Sequence, residues 1–166
     1  MIKVFQYPHE TLLQTSTPWT ETDTIQGYDD KEKFEQDMIK LMLDENGLGL
    51  AANQIGITKR FFAIGHESFD TFEKNAIIWN PLIKKYSEEK VFDVEGCLSF
   101  PGIFIKVERP KTVEVQYETT QGETKTAKLD GMESKCFQHE LDHLEGITFN
   151  KRISKLRWDM AKKKSK

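Results

Sequence analysis

Apolar positions recur with two different periods along this chain, and the changes of period divide it into elements. Phe34, Met38, Leu41 and Met42 follow one another at the three- and four-residue spacing of a single helical face. Asp29 and Asp30 suit the N-terminus of that helix, and Asp44-Glu45-Asn46-Gly47 ends it with a C-terminal glycine. Short runs at 61–64, 76–79 and 91–94, bounded by Gly, Pro and charge, read as strands. At 111–119 Val113, Val115 and Tyr117 alternate with polar residues, Gln121-Gly122 makes a turn, and a second strand runs through Leu129, which together predict a hairpin. Asp130-Gly131 then precedes a second helix that Gly146 closes. The first 27 residues, punctuated by Pro8, Pro18 and Gly27, read as irregular, and 149–160 is too short and basic to assign. There are no internal repeats.

With 166 residues, 37% hydrophobic and 31% charged, the pattern fits one soluble globular domain with a real core. We expect a catalytic domain over 1–150 and a short basic tail over 151–166. The tail holds eight Lys/Arg against Asp159, a charge of +7, while the rest of the chain carries −10. A basic tail on an acidic body suits either nucleic-acid contact or a solvated terminus. There is no run of about 18 apolar residues to span a membrane and no secretory signal at Met1-Ile2-Lys3-Val4, so the expected location is the cytoplasm. There the two cysteines, Cys97 and Cys136, are free thiols, available as ligands or core residues.

The candidate chemistry lies in the second helix, in Gln138-His139-Glu140-Leu141-Asp142-His143. An H-E-x-x-H sequence puts His139 and His143 on one helical face, where both imidazoles can reach one divalent metal. Glu140 follows about 100° round the turn, close enough to handle a proton on a metal-bound water. A third ligand is needed. Phe149 stands where one metallopeptidase pattern has its last histidine, and no Glu follows Glu145, so the ligand must come from upstream. Cys136, three residues before His139 on the same helix, spans too much length to converge with both histidines. His9 and His66 lie in polar surroundings and read as surface residues. Cys97, preceded by Gly96, is the preferred candidate, giving a Cys-His-His site with an open fourth position, the catalytic type. The Gly47-to-Gly56 stretch resembles a phosphate loop at first sight, but it lacks both G-K-[ST] and a full G-x-G-x-x-G, so nucleotide binding is rejected.

Three segments together resemble the peptide deformylase family: Gly47-Leu48-Gly49-Leu50-Ala51-Ala52-Asn53-Gln54, Glu95-Gly96-Cys97-Leu98-Ser99 and Gln138-His139-Glu140-Leu141-Asp142-His143-Leu144-Glu145-Gly146. All three signatures are intact and in the family's order, and Pro101 and Arg109 also match its pattern. The resemblance implies an α+β fold with antiparallel β-sheets surrounding a central helix that carries the H-E-x-x-H residues. It implies hydrolysis of the formyl group from the N-terminal formylmethionine of newly synthesised polypeptides, by attack of a metal-bound hydroxide with Glu140 as general base and acid. Cys97, His139 and His143 would hold one Fe(II) per chain, which Zn or Ni could replace. Gln54 and the Leu98 backbone N–H would donate to the developing oxyanion. Gly49 and Gly96 would let an extended peptide pair with the backbone, and Leu48, Met132 and Cys136 would form part of a methionine pocket. The implied partners are N-formylmethionyl nascent peptides, with transient ribosome association through the basic tail and no membrane, and the chain is expected to be a monomer. Alternatives are a general metallopeptidase and an inactive deformylase-like ribosome-binding factor. Arg109 is expected to bridge Glu95 and Asp142, tying the cysteine segment to the catalytic helix.

Overall fold

A computed structural model of the chain describes residues 1–72 and 74–165. Helix α1 spans Lys31–Asp44; the Asp30 side chain caps it by accepting from the Glu32 N–H, and Phe34, Met38 and Met42 form its buried face. Strand β1, Gly49–Ala51, leads into a 3-10 turn at Ala52–Ile55. Strand β2, Phe61–Gly65, is buried along its whole length. Its alternating side chains serve both faces: Phe61 and Ala63 pack with α1, and Phe62 and Ile64 pack on the other side. Strand β3 runs over Asn75–Tyr86, β4 over Lys90–Cys97 and β5 over Phe100–Pro110. The predicted hairpin is β6, Val113–Glu118, and β7, Thr124–Leu129, turning at Gly122 with a φ of 84°.

Five strands form one antiparallel sheet in the order β1-β2-β3-β6-β7, and β4 and β5 pair as a separate ribbon. Helix α2, Gly131–Leu144, packs against the sheet face opposite α1, with Phe137 and Leu144 joining Phe62, Ile78, Val113 and Val115. The α+β class and the central helix are therefore as expected. Ten of the fourteen α2 residues are buried, seven of them polar or charged. Burying that many polar groups is costly unless each has a partner or a task, so α2 is where chemistry is to be sought. Gly146, at φ 75°, ends the helix so close to Leu13 that a Cβ would meet the Leu13 carbonyl oxygen at 2.7 Å.

The strands exceed the sequence expectation: β1 lies in a stretch not read as a strand, and β4 runs on from 91–94 to Cys97. The 76–79 run extends through Pro81 to Tyr86, across a register shift that follows Asn80, itself at φ 46°. Strand β5 has no counterpart among the strands the pattern predicts. Residues 155–164 form helix α3, Lys155–Lys164, whose Trp158 packs edge-on against Phe100, with ring centroids 5.6 Å apart, over a small core with Val107 and Phe149.

Candidate metal centre

Cys97 closes β4, and its thiol meets the two histidines that α2 presents four residues apart. The donor atoms of Cys97, His139 and His143 all lie within 4.8 Å of one another, and no other trio of His, Cys, Asp or Glu converges this way among the described residues. Cys97 Sγ is 3.3 Å from His143 Nε2. The imidazoles cross at 70° with centroids 5.0 Å apart, so they face a common point rather than stack. One thiolate and two imidazoles make a donor set suited to a borderline divalent ion.

Partners behind the histidines fix their roles. The Nδ1–H of His139 donates to Glu95 Oε1 at 2.8 Å, which leaves Nε2 turned toward the centre. Arg109 forks onto Glu95 through Nε and Nη2 and reaches Asp142 Oδ2 through Nη1 at 2.8 Å, the bridge the sequence suggested. Arg152, from the basic tail, closes the network with Nε and Nη2 on Asp142 at 2.9 and 2.6 Å. Burial weighs against charge on Glu95, but the hydrogen bonds from His139 and Arg109 prevail and hold its pKa at about 2. Burial likewise opposes charge on His139, yet its hydrogen bonds to Cys97 and Glu95 raise its pKa well above the usual imidazole value. The anions around it favour a cation at this point, whether a proton or a metal ion. Burial, with the positive charge of His139, pushes the His143 pKa well below its ordinary value, so that ring stays neutral and keeps a lone pair to give.

Glu140 is buried, and its Oε1 lies 3.9 Å from His139 Nε2. Its Oε2 has no hydrogen-bond partner among the described residues. Burial raises its pKa to about 7, against the nearby charge of His139. A Cβ at Gly49 would meet the Glu140 carboxylate at 2.6 Å, so glycine is what lets β1 pass the carboxylate. The Gln54 carboxamide is held at both ends: Oε1 accepts from the Ala51 N–H at 2.9 Å, and Nε2 donates to Ser99 Oγ at 3.0 Å while lying 3.7 Å from Cys97 Sγ. Ser99 in turn donates to the Phe5 carbonyl at 2.7 Å, which ties the N-terminal segment to the centre. Neither Ser99, Phe5 nor Arg152 was singled out from sequence, although Ser99 falls inside a motif whose cysteine was.

A mostly apolar cleft of about 440 Å³ opens over these groups, walled by Leu48 and Gly49 on one side, Gly96 and Leu98 on the other, and Cys136 and Glu140 along α2. Burial pushes the Cys136 thiol up to about 12, so it serves as an apolar wall rather than a nucleophile. Met132 is not among the lining residues; it lies two turns before His139 and packs toward the core around Phe137. His9 caps a 3-10 turn and stacks on Phe5, and His66 bonds with Ser68, so both stay outside the centre. A larger cleft of about 590 Å³ beside Trp19 and Trp79 contains none of these groups, so size alone does not choose the site.

A sequence profile of the family described as polypeptide deformylase matches residues 1–158. A peptide deformylase of Brucella suis is 39% identical over 160 residues, which covers 96% of this chain and 88% of the relative. One from Rhizobium meliloti is 37% identical over 154 residues, covering 93% and 86%. Among solved structures, a peptide deformylase from Synechococcus elongatus in complex with actinonin superposes with a TM-score of 0.87 at 32% identity, over 98% of this chain and 86% of that one.

Proposed function

The chain belongs to the polypeptide deformylase family, and on that footing we infer that it is a metal-dependent hydrolase removing the formyl group from the N-terminal methionine of newly made polypeptides. The observation that carries the reading is the convergence of Cys97, His139 and His143 within 4.8 Å beside a buried carboxylate, Glu140, with one oxygen unpartnered among the described residues. A divalent ion held by those three side chains would supply the Lewis acidity that makes water a usable nucleophile near neutral pH. Glu140 takes a proton from the attacking water and returns one to the amine as the C–N bond breaks, leaving formate and a free N-terminus. A carboxyl group with a pKa of about 7 exchanges a proton in either direction at neutral pH. The Gln54 amide and the Leu98 backbone N–H donate to the formyl oxygen as it becomes anionic, in the manner of an oxyanion hole. The fixed orientation of the Gln54 amide supports its part.

Gly49 and Gly96 both line the cleft, and an extended peptide would pair with their backbones between β1 and β4, a mode that reads backbone rather than sequence. Leu48 and Cys136 supply apolar wall for the methionine side chain; Met132, expected from the sequence to join them, does not line the cleft. For the resident ion we favour Fe(II), one per chain, with Zn or Ni able to replace it, since a thiolate and two imidazoles suit all three. The exposed lysines Lys151, Lys155, Lys162, Lys163 and Lys164 are consistent with a passing contact to the ribosome. No described helix is long and apolar enough to cross a membrane. We take the chain to act as a cytoplasmic monomer.

The test is formate release from formyl-Met-Ala by anaerobically purified protein, with metal analysis of the same sample. Rapid release is expected, and Glu140→Gln should keep its metal while losing about 10²–10⁴ in rate. Cleavage of internal peptide bonds without formate release would select a general metallopeptidase instead. No hydrolysis of either bond by the metal-loaded chain would select the inactive factor.

A further inference from the structure

Two segments remote in sequence close the C-terminal end of α2. The Asn53 side chain donates through Nδ2 to the His143 carbonyl, and the Ser16 N–H donates to the Leu144 carbonyl at 2.7 Å. Asn53, Ser16 and His143 are all buried. Four buried side-chain polar atoms lack a hydrogen-bond partner among the described residues. One is Glu140 Oε2, which the chemistry above uses. The other three are Asn53 Oδ1, Ser16 Oγ and His143 Nδ1, all on residues gathered at this one helix end.

Their hydrogen-bonding types are complementary. Nδ2 of Asn53 is committed to a carbonyl, which can only accept, so the free end is Oδ1, an acceptor. His143 turns Nε2 toward Cys97, so with that lone pair given to a metal the ring proton sits on Nδ1, a donor. Ser16 Oγ can serve as either. One donor, one acceptor and one hydroxyl are what a single buried water satisfies, and buried polar groups left unpaired are costly. A metal-bound imidazole hands its second N–H to a partner that fixes its tautomer and ring orientation. Glu95 does this for His139.

We propose that Asn53 and Ser16 hold a buried water that accepts from the Nδ1–H of His143, which makes Asn53 a positioning residue for the second metal-bearing histidine. The inference rests on the reading of Cys97, His139 and His143 as a metal centre. Asn53 directly precedes Gln54 in the 3-10 turn Ala52–Ile55, so the turn that presents the oxyanion donor also braces a ligand. The two histidines are braced unequally, one by a carboxylate and the other by a neutral amide acting through water.

Long-range 1H–15N NMR of the Zn(II)-loaded full chain, labelled with 15N-histidine, tests this. Both His139 and His143 should carry a slowly exchanging proton on Nδ1, and that of His143 should show an Overhauser contact to a long-lived water. A proton on His143 Nε2, or an Nδ1–H without that contact, would overturn the proposal. Asn53→Leu should weaken Zn(II) binding by about 10–100-fold in competition with a chelator. It should also speed exchange of the His143 proton while leaving the His139 signal in place, whereas a general loosening of the fold moves both signals together. Unchanged affinity with an unchanged His143 signal would count against the brace. If Asn53→Leu does not fold, Ser16→Ala decides: it removes one hydroxyl and should still speed exchange of the His143 proton, and no change there would overturn the water. An unaltered chain that binds no Zn(II) would sink the metal reading itself and the brace with it, a result distinct from a bound ion beside an unbraced His143.

Discussion

Glu95 accepts from His139 through one oxygen and from Arg109 through both, inside a region almost closed to water. Its two partners hold its pKa at about 2, below the ordinary 4.5. A carboxyl group depressed in this way stabilises the fold fully above the unfolded value, and the contribution is lost as pH falls through the folded one. The window therefore runs from about pH 4.5 down to about 2, and the shift corresponds to about 3 kcal/mol. Glu95→Gln should destabilise the chain near neutral pH by about 3–5 kcal/mol, because it leaves the buried Arg109 charge short of a partner. Urea unfolding at a series of pH values checks both statements: the gap between the unaltered chain and the variant should narrow steadily as acid is added. Parallel curves down to about pH 2 would mean that Glu95 is not held as an anion.

At the scale of elements, the centre depends on β1 passing α2 with no side chain between Gly49 and Glu140. Gly49→Ala should displace the carboxylate by a fraction of an ångström, since its Cβ would otherwise lie 2.6 Å from Glu140 Oε1. We expect formate release to fall by about 10²-fold with metal content unchanged; full activity would show that β1 yields instead. The same elements show what the sequence made legible. Helix α2 could be read because His139 and His143 are four apart and their helix is bounded by Asp130 and Gly146. The β6–β7 hairpin could be read because Val113, Val115 and Tyr117 alternate around a Gln-Gly turn. Strand β5 could not, because Pro101 and Gly102 stand at its start, and it buries the charged Arg109, which no alternation of apolar residues would betray. Met132 seemed suited to the pocket by type, but the cleft wall on α2 is made by Lys135, Cys136, His139 and Glu140, and Met132 lies before them. The cysteine-to-histidine assignment was legible from chemistry; the Phe5-Ser99-Gln54 link was not, because it joins residues 94 positions apart.

At the scale of the whole molecule, the three donors belong to bodies that fold by different means. Cys97 comes from a two-stranded ribbon that packs on Phe149 and α3, whereas His139 and His143 come from a helix packed on the five-stranded sheet. The His139 ring also touches Phe149, with centroids 5.7 Å apart, so the ribbon's small core abuts the centre from behind. An ion bound to all three donors would bind only the folded arrangement, because unfolding separates Cys97 from the histidines by some forty residues of chain. Linkage then predicts stabilisation by about 2.7 kcal/mol at one hundred times the dissociation constant. For a chain of this size that is a rise in Tm of about 5–10 °C. Adding Ni(II) or Zn(II) to chelator-stripped protein and following unfolding by circular dichroism should show the rise, and Cys97→Ala should abolish most of it. The metal-free variant should unfold within a few degrees of the metal-free native chain, because Cys97 is only partly buried and its removal opens little cavity. An undiminished rise in Cys97→Ala would place the ion on other residues, and the assignment of β4 as a metal-bearing strand would fail with it.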